Sequence, residues 1–183
     1  FENILDAVPF KTNYDKLEGA TIKLLDNYTG SGIRFVENNM VLDLNGYTYT
    51  INEGTGSNTS RTQAFQVRDT ANNVLVKNGT IAIAKPEEMD ETWGKVAWMF
   101  NSYTDLTLED VVLDCTNMAW SYGESVYAIF VQSESDSANL TGSTSIVNFN
   151  EEVGVSSIGN NGTLKINTTG IVEGAIENDG TAE

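Results

Sequence analysis

Two kinds of short apolar strand recur along this chain on a shared spacing, and that coincidence restricts the fold more than any other feature of the sequence. One kind reads Val41-Leu42-Asp43-Leu44-Asn45-Gly46, then Leu75-Val76-Lys77-Asn78-Gly79, then Leu106-Thr107-Leu108-Glu109-Asp110. Asn45 and Asn78 lie 33 residues apart, and Asp110 follows 32 later. The other kind has Ile33 with Phe35, then Phe65 with Val67, then the run from Val96 to Phe100, then the run from Tyr127 to Val131. Within the strands apolar and polar residues alternate, as in Ile22 and Leu24 against Thr21 and Lys23, which is the period of a pleated strand. The register blurs from about residue 140, through Ile146, Phe149, Val153 and Val155, and sharpens at Leu164, Ile166 and Ile171.

A repeat of strands and turns without helices cannot bury its apolar face alone. Stacked coil on coil, its inward residues form ladders of like side chains and its backbone groups pair with the coils above and below. An antiparallel sandwich would need hairpin turns between neighbouring strands and would not generate one shared period. The expected fold is therefore all-β, a right-handed parallel β-helix, with the hand set by the preference of parallel crossovers. A short N-terminal capping helix is expected within residues 1–19, where Ile4, Leu5 and Val8 make one apolar face and Pro9 ends it. Residues 20–183 then form the coils, with long polar insertions near 52–62, 84–95 and 116–125. The chain reads as a fragment of a larger protein or a mature form of one.

The turn after the first strand kind carries a sharper expectation. Asn45, Asn78 and Asp110 should stack at one corner, because Asn and Asp tolerate positive φ best after Gly. Stacked Asn amides should bond to one another there. Asp110, which only accepts when ionised, should sit at a more solvated point or take a backbone N–H. Leu44, Val76 and Leu108 should form an inward ladder beside that corner, with a one-residue bulge near Leu44.

Composition narrows function by exclusion. Asp plus Glu number 26 against 10 Lys plus Arg, a net charge of -16. Such a surface repels nucleic acid and anionic lipid. The absence of His removes Ser-His-Asp catalysis and His-ligated zinc, and the single Cys115 cannot form an internal disulfide. No apolar run reaches the roughly 18 residues of a membrane-spanning helix. Abundant Asn, Thr, Ser and Gly with scarce Lys fit an extracellular or cell-surface location.

The segment Leu42-Asp43-Leu44-Asn45-Gly46-Tyr47-Thr48, with Ala20 to Asp26 upstream and Val74-Leu75-Val76-Lys77-Asn78-Gly79-Thr80-Ile81 downstream, resembles the pectin-lyase-like β-helix domains of gut-bacterial surface proteins. The likeness covers about residues 1–115 well and the rest by pattern. It describes core and turn positions, so it implies a fold and says little of an activity. Tyr47 stands where that family usually has His, which removes a polar group from the motif. Fold relatives include polysaccharide lyases and hydrolases, but neither a Gly-His-Gly nor an Arg-x-Lys segment occurs here.

The aromatic residues cluster. Trp93, Trp98 and Trp120 all fall in one stretch, with Tyr103, Tyr122 and Tyr127 nearby. Trp93, Trp120 and Tyr122 lie in successive insertions that should emerge on one face, where their rings could form a platform for sugar rings or fold the insertions onto the wall. Trp98, inside an alternating strand, is expected to be structural. The acidic run Glu87-Glu88-Met89-Asp90-Glu91 lacks the spacing that wraps calcium, and reads as a solvated loop. Glu109, Asp110 and Asp114 offer carboxylates, and Arg34, Arg61 and Arg68 the only guanidiniums, without a pattern that places them across a cleft. No catalytic residue, cofactor or metal is assigned. The expected function is a non-enzymatic stalk or adhesion module of a bacterial surface protein with weak glycan binding, its partner a glycan or a host-surface protein. The alternative is a lyase or glycoside hydrolase fragment.

Overall fold

The structure, a computed structural model, describes residues 18–55, 63–88, 96–119, 125–152, 154 and 156–183. The expected capping helix lies outside these residues. So do Trp93, Trp120, Tyr122 and Arg61.

The described chain is all-β apart from one 3-10 turn at Pro86–Glu88. A larger parallel sheet contains β1 (Thr21–Lys23), β2 (Tyr28–Ser31), β4 (Val41–Asp43), β5 (Thr48–Glu53), β7 (Val74–Ile83), β9 (Asp105–Asp114), β11 (Ser137–Gly142), β12 (Ser145–Val147), β14 (Thr163–Thr168) and β16 (Thr181–Ala182). A smaller parallel sheet contains β3 (Arg34–Phe35), β6 (Gln63–Val67), β8 (Trp98–Ser102), β10 (Tyr127–Val131), β13 (Ser156–Asn160) and β15 (Ala175–Asn178). The chain passes alternately between the two, and each strand pairs with its counterpart one coil away. That arrangement fits a β-helix or solenoid. Asn38 to Asn72 is one coil of 34 residues and Asp105 to Ser137 one of 32, but Asn160 to Asn178 is only 18. The coil therefore shortens toward the C-terminus, which is why the sequence period fades after residue 140.

The core lies between the sheets as columns of like residues. Leu42, Val76, Leu108, Leu140 and Ile166 are register partners in turn. Tyr49, Ile81 and Leu113 form a second column. Phe65, Phe100, Ile129 and Ile158 form a third, on the smaller sheet. Leu42 rather than Leu44 occupies the ladder with Val76. Leu44 is also fully buried, but at the corner, where its Cβ fills the space beside Gly79.

The corner itself behaves as Asn and Asp chemistry demands. Asn45, Asn78 and Asp110 have φ of 53°, 62° and 55°, and Gly142 continues the column at 62°. Asn78 stands opposite Asp110, between the pairs Lys77–Glu109 and Gly79–Val111. Asn45 reaches the same corner by a larger bulge than expected: Leu44 to Tyr47 stand against Asn78 and Gly79 alone. Gly46 N–H donates to the Asn78 carbonyl at 2.6 Å, which closes that bulge. Asp110 is exposed and accepts from the Ser143 backbone N–H at 2.8 Å.

The amide ladder is elsewhere. Asn78 Nδ2 donates to Asp43 Oδ1, and Asn45 Nδ2 to the Leu24 carbonyl, so these two amides do not bond to each other. Amide-to-amide stacking occurs at the preceding corner. Asn72 donates to Asn38 at 3.1 Å and Asn73 to Asn39 at 3.2 Å, and Thr104 extends the first pair by donating to Asn72. The bulge separates Asn45 from Asn78, whereas no insertion divides the Asn38–Asn39 and Asn72–Asn73 steps.

Asn78→Val should test the corner. A β-branched residue at φ of 62° is strained and forfeits the bond to Asp43, so a loss of about 2 kcal/mol is expected in urea unfolding. Asn78→Gly forfeits the same bond but is free of Cβ strain at this φ, so it should stay within about 1 kcal/mol of the parent. Equal effects of the two substitutions would contradict the left-handed assignment.

Candidate ligand-binding surface

The residues before and after each long insertion sit at the same crossing from the larger sheet to the smaller. Ile51 pairs with Ile83 before the insertions, and Gln63, Trp98 and Tyr127 pair in turn after them. The insertions thus start and end in one column.

Strand alternation divides the smaller sheet. Its inward column is Phe65, Phe100, Ile129 and Ile158. The opposite column runs Arg34, Gln66, Asn101, Phe130, Gly159 and Glu177. Phe130 stacks there with two rings: its ring centroid is 5.0 Å from Trp98 and 5.0 Å from Tyr127, with interplanar angles of 27° and 23°. Gly159 is what allows this, since a Cβ there would meet Phe130 Cε2 at 2.8 Å and Tyr127 Cε1 at 2.9 Å. Trp98 is fixed by its indole N–H, which donates to the Ser125 carbonyl at 2.6 Å. Tyr127 is fixed by its hydroxyl, which donates to Glu177 Oε2 at 2.6 Å. Burial, the bond to Glu177 and that carboxylate's charge all push the Tyr127 hydroxyl above its ordinary pKa, so it stays a donor.

Beside the aromatic stack lies a polar chain. Gln132 Nε2 donates to Asn101 Oδ1 at 2.7 Å, and Asn101 Nδ2 donates to the Tyr103 hydroxyl at 3.1 Å. The Arg68 guanidinium lies 5.3 Å from the Tyr103 ring centroid, within cation–π range. Two buried polar atoms on the same column, Arg34 Nε and Gln66 Oε1, have no hydrogen-bond partner. Trp98, Phe130, Tyr103 and Gln132 are partly exposed. Flat rings beside amide and guanidinium donors are the groups that stack on a pyranose and bond its hydroxyls.

The expected aromatic platform of Trp93, Trp120 and Tyr122 lies outside the described residues, and the aromatic surface among the described residues is a separate one. Trp98, read as structural, contributes a partly exposed ring. Phe130 was not singled out, because residues three apart on a strand belong to opposite faces under strict alternation, and nothing in the pattern brings Phe130 to Tyr127.

The carboxylates read as catalytic candidates serve turns. Asp110 accepts from Ser143. Asp114 accepts from Thr116 and from Asn148. Burial raises the Asp114 pKa, but these hydrogen bonds outweigh it and hold the carboxyl below its usual range. Arg68 and Asp69 form a solvent-facing pair at 3.7 Å. Among the described residues no group of three or more His, Cys, Asp or Glu converges on a common point. Cys115 is buried, and desolvation with the charges of Asp114 and Glu173 pushes its thiol up to about 12, so it behaves as a small apolar residue. No helix among the described residues is long and apolar enough to cross a membrane.

No protein-family profile, curated protein or solved structure matches the chain.

Proposed function

We propose that this chain is a right-handed β-helical module of a bacterial surface protein, acting as a rigid stalk or adhesion unit that holds a neutral glycan on its smaller sheet. The observation that carries the reading is the partly exposed Trp98–Phe130 ring pair with the partly exposed Gln132 amide, which is held by the buried Asn101. Continuous parallel pairing on both sheets supports rigidity, since each coil is held along its length by its neighbours. The resemblance of the Leu42–Thr48 and Val74–Ile81 segments to pectin-lyase-like domains supports the hand and the setting. The net charge of -16 favours a neutral ligand over an acidic one, because a uronate or sialate would approach against the protein's field.

A glycan array with the 183-residue chain, followed by calorimetry on the best neutral ligand, tests this. Trp98→Ala should weaken binding at least about tenfold, which corresponds to ~1.4 kcal/mol of lost stacking. Gln132→Ala should weaken it less, and urea midpoints should confirm that both variants fold. Binding unchanged by Trp98→Ala, or no neutral glycan bound at millimolar concentration, would remove the proposed site.

A further inference from the structure

The outward side of the larger sheet carries two columns of side chains, one on either side of the inward ladder of Ile22, Leu42, Val76 and Leu108. One column runs Thr21, Val41, Leu75 and Thr107, all exposed or partly exposed. The other runs Lys23, Asp43, Lys77 and Glu109, register partners on four successive coils. Charge therefore alternates plus, minus, plus, minus along the stack. It sums to zero here, in a chain whose net charge is -16. Asp43 Oδ1 is taken up by the Asn45 N–H and by Asn78 Nδ2, while Oδ2 lies 3.9 Å from Lys23 Nζ. Lys77 and Glu109 have no ion-pair partner among the described residues.

An alternating column of four differs from a uniform one in being its own complement when read backward. A two-fold axis parallel to the strands lays one copy's sheet on another's, reverses the coil order and keeps each column opposite itself. Lys23 then meets the partner's Glu109, Asp43 meets the partner's Lys77, and Val41 meets the partner's Leu75. A two-fold axis along the stack would instead set the charged column on Val41 and Leu75, leaving every charge without a partner. Carboxylates elsewhere on the two copies repel, but at about 0.15 M salt the screening length is about 8 Å, so distant ones count for little. Four coils about 4.8 Å apart and two columns about 7 Å apart cover on the order of 300 Å² on each copy. That is below the roughly 800 Å² per partner of a standard interface, so the association is weak.

We propose that the outward side of the larger sheet is a self-association surface, on which two copies of this chain pair face to face about a two-fold axis parallel to the strands. The charged columns set the register, and Val41 with Leu75 supplies the apolar contact at the centre. Such a contact uses the same patch on both copies, so it closes on itself and the assembly stops at the dimer. It uses no residue of the smaller sheet.

Sedimentation equilibrium of the 183-residue chain tests this. A monomer–dimer equilibrium is expected, half complete at roughly 0.1 to 1 mM chain, with no larger species. Lys23→Glu sets two carboxylates face to face across the dimer, and Glu109→Lys sets two ammonium groups face to face. Each should raise the dissociation constant at least about tenfold. The two substitutions together restore opposite charges across the dimer, and should return the constant to within about threefold of the parent's. Inside one chain the same double variant sets like charges beside Asp43 and beside Lys77. A column that acted only within the chain would therefore suffer most from the double variant. Lys23 and Glu109 are both exposed, so all three variants should fold, and urea midpoints would verify it. A chain that stays monomeric throughout this range overturns the proposal. So does a dimer that either single substitution leaves intact, or a double variant that dimerises no better than the singles.

Discussion

Replacing Phe65 by alanine is expected to remove about 4 kcal/mol of stability, within the range for a large aromatic deleted from a packed core. Phe65 is fully buried and touches three other rings. It stacks on Phe100 at 4.9 Å and on Phe35 at 6.3 Å, and it meets the edge of Tyr49 at 5.4 Å. Phe35 and Phe100 lie in the coils on either side, on the same sheet. Tyr49 comes from the larger sheet and is itself anchored by its hydroxyl, which donates to the Ser31 carbonyl at 2.6 Å. Phe65 therefore joins coil to coil and sheet to sheet at one point. Strands held on both sides cannot collapse inward to fill the cavity, so the cost should lie toward the upper part of the range. Equilibrium urea unfolding would measure it. A loss below about 1.5 kcal/mol would mean that the four rings are not packed as described.

Gly32→Ala is expected to cost about 3 kcal/mol or more, an unusually large penalty for adding one methyl group. A Cβ at Gly32 would land on the Ala64 carbonyl oxygen, with the carbonyl carbon at 2.6 Å and Thr55 Cγ2 at 3.0 Å. Backbone atoms cannot rotate aside as a side chain can, so β3 would have to separate from β6. The Gly32 N–H, which donates to the Glu53 carbonyl at 2.9 Å, would move with it. Gly46 makes the informative comparison. It has φ of 85° and nothing within 4 Å of a built Cβ, so Gly46→Ala should cost only the conformational strain, about 1 kcal/mol. Should the two alanine variants unfold at the same urea concentration, the close approach of Gly32 to Ala64 would be wrong.

Much of this architecture was legible in the residues, for identifiable reasons. The Val76 and Leu108 steps of the inward column could be read because parallel stacking places like side chains above like, and alternation fixes which of them point inward. The left-handed corner at Asn78 and Asp110 could be read because few residues accept positive φ. The Asn45 register could be read only in part. A bulge lets a strand gain residues without any change in composition, so Leu44 looked like the ladder residue that Leu42 is. The Asn38–Asn72 and Asn39–Asn73 ladders went unread because Thr104 and Asp105 continue them in the next coil, and no repeated Asn marks the corner beyond two turns. At the candidate site the aromatic enrichment was visible, but its geometry was not. Phe130 meets Tyr127 over the bare backbone of Gly159, and a missing side chain on the next coil leaves no mark in the sequence of the strand that exploits it.

The parallel pairing has a mechanical consequence. Hydrogen bonds between coils point along the stacking direction, so tension applied between the two ends of the stack would load them one coil at a time rather than all together. Such a module would yield in steps, beginning where the coils are shortest and least buried, around β15 and β16. Releasing one 32-residue coil would pay out roughly 110 Å of chain at about 3.4 Å per residue. A solenoid built this way would stay stiff under small loads and would lengthen by single coils under large ones, so that a sudden pull is absorbed by the release of one coil before it loads the rest of the stack.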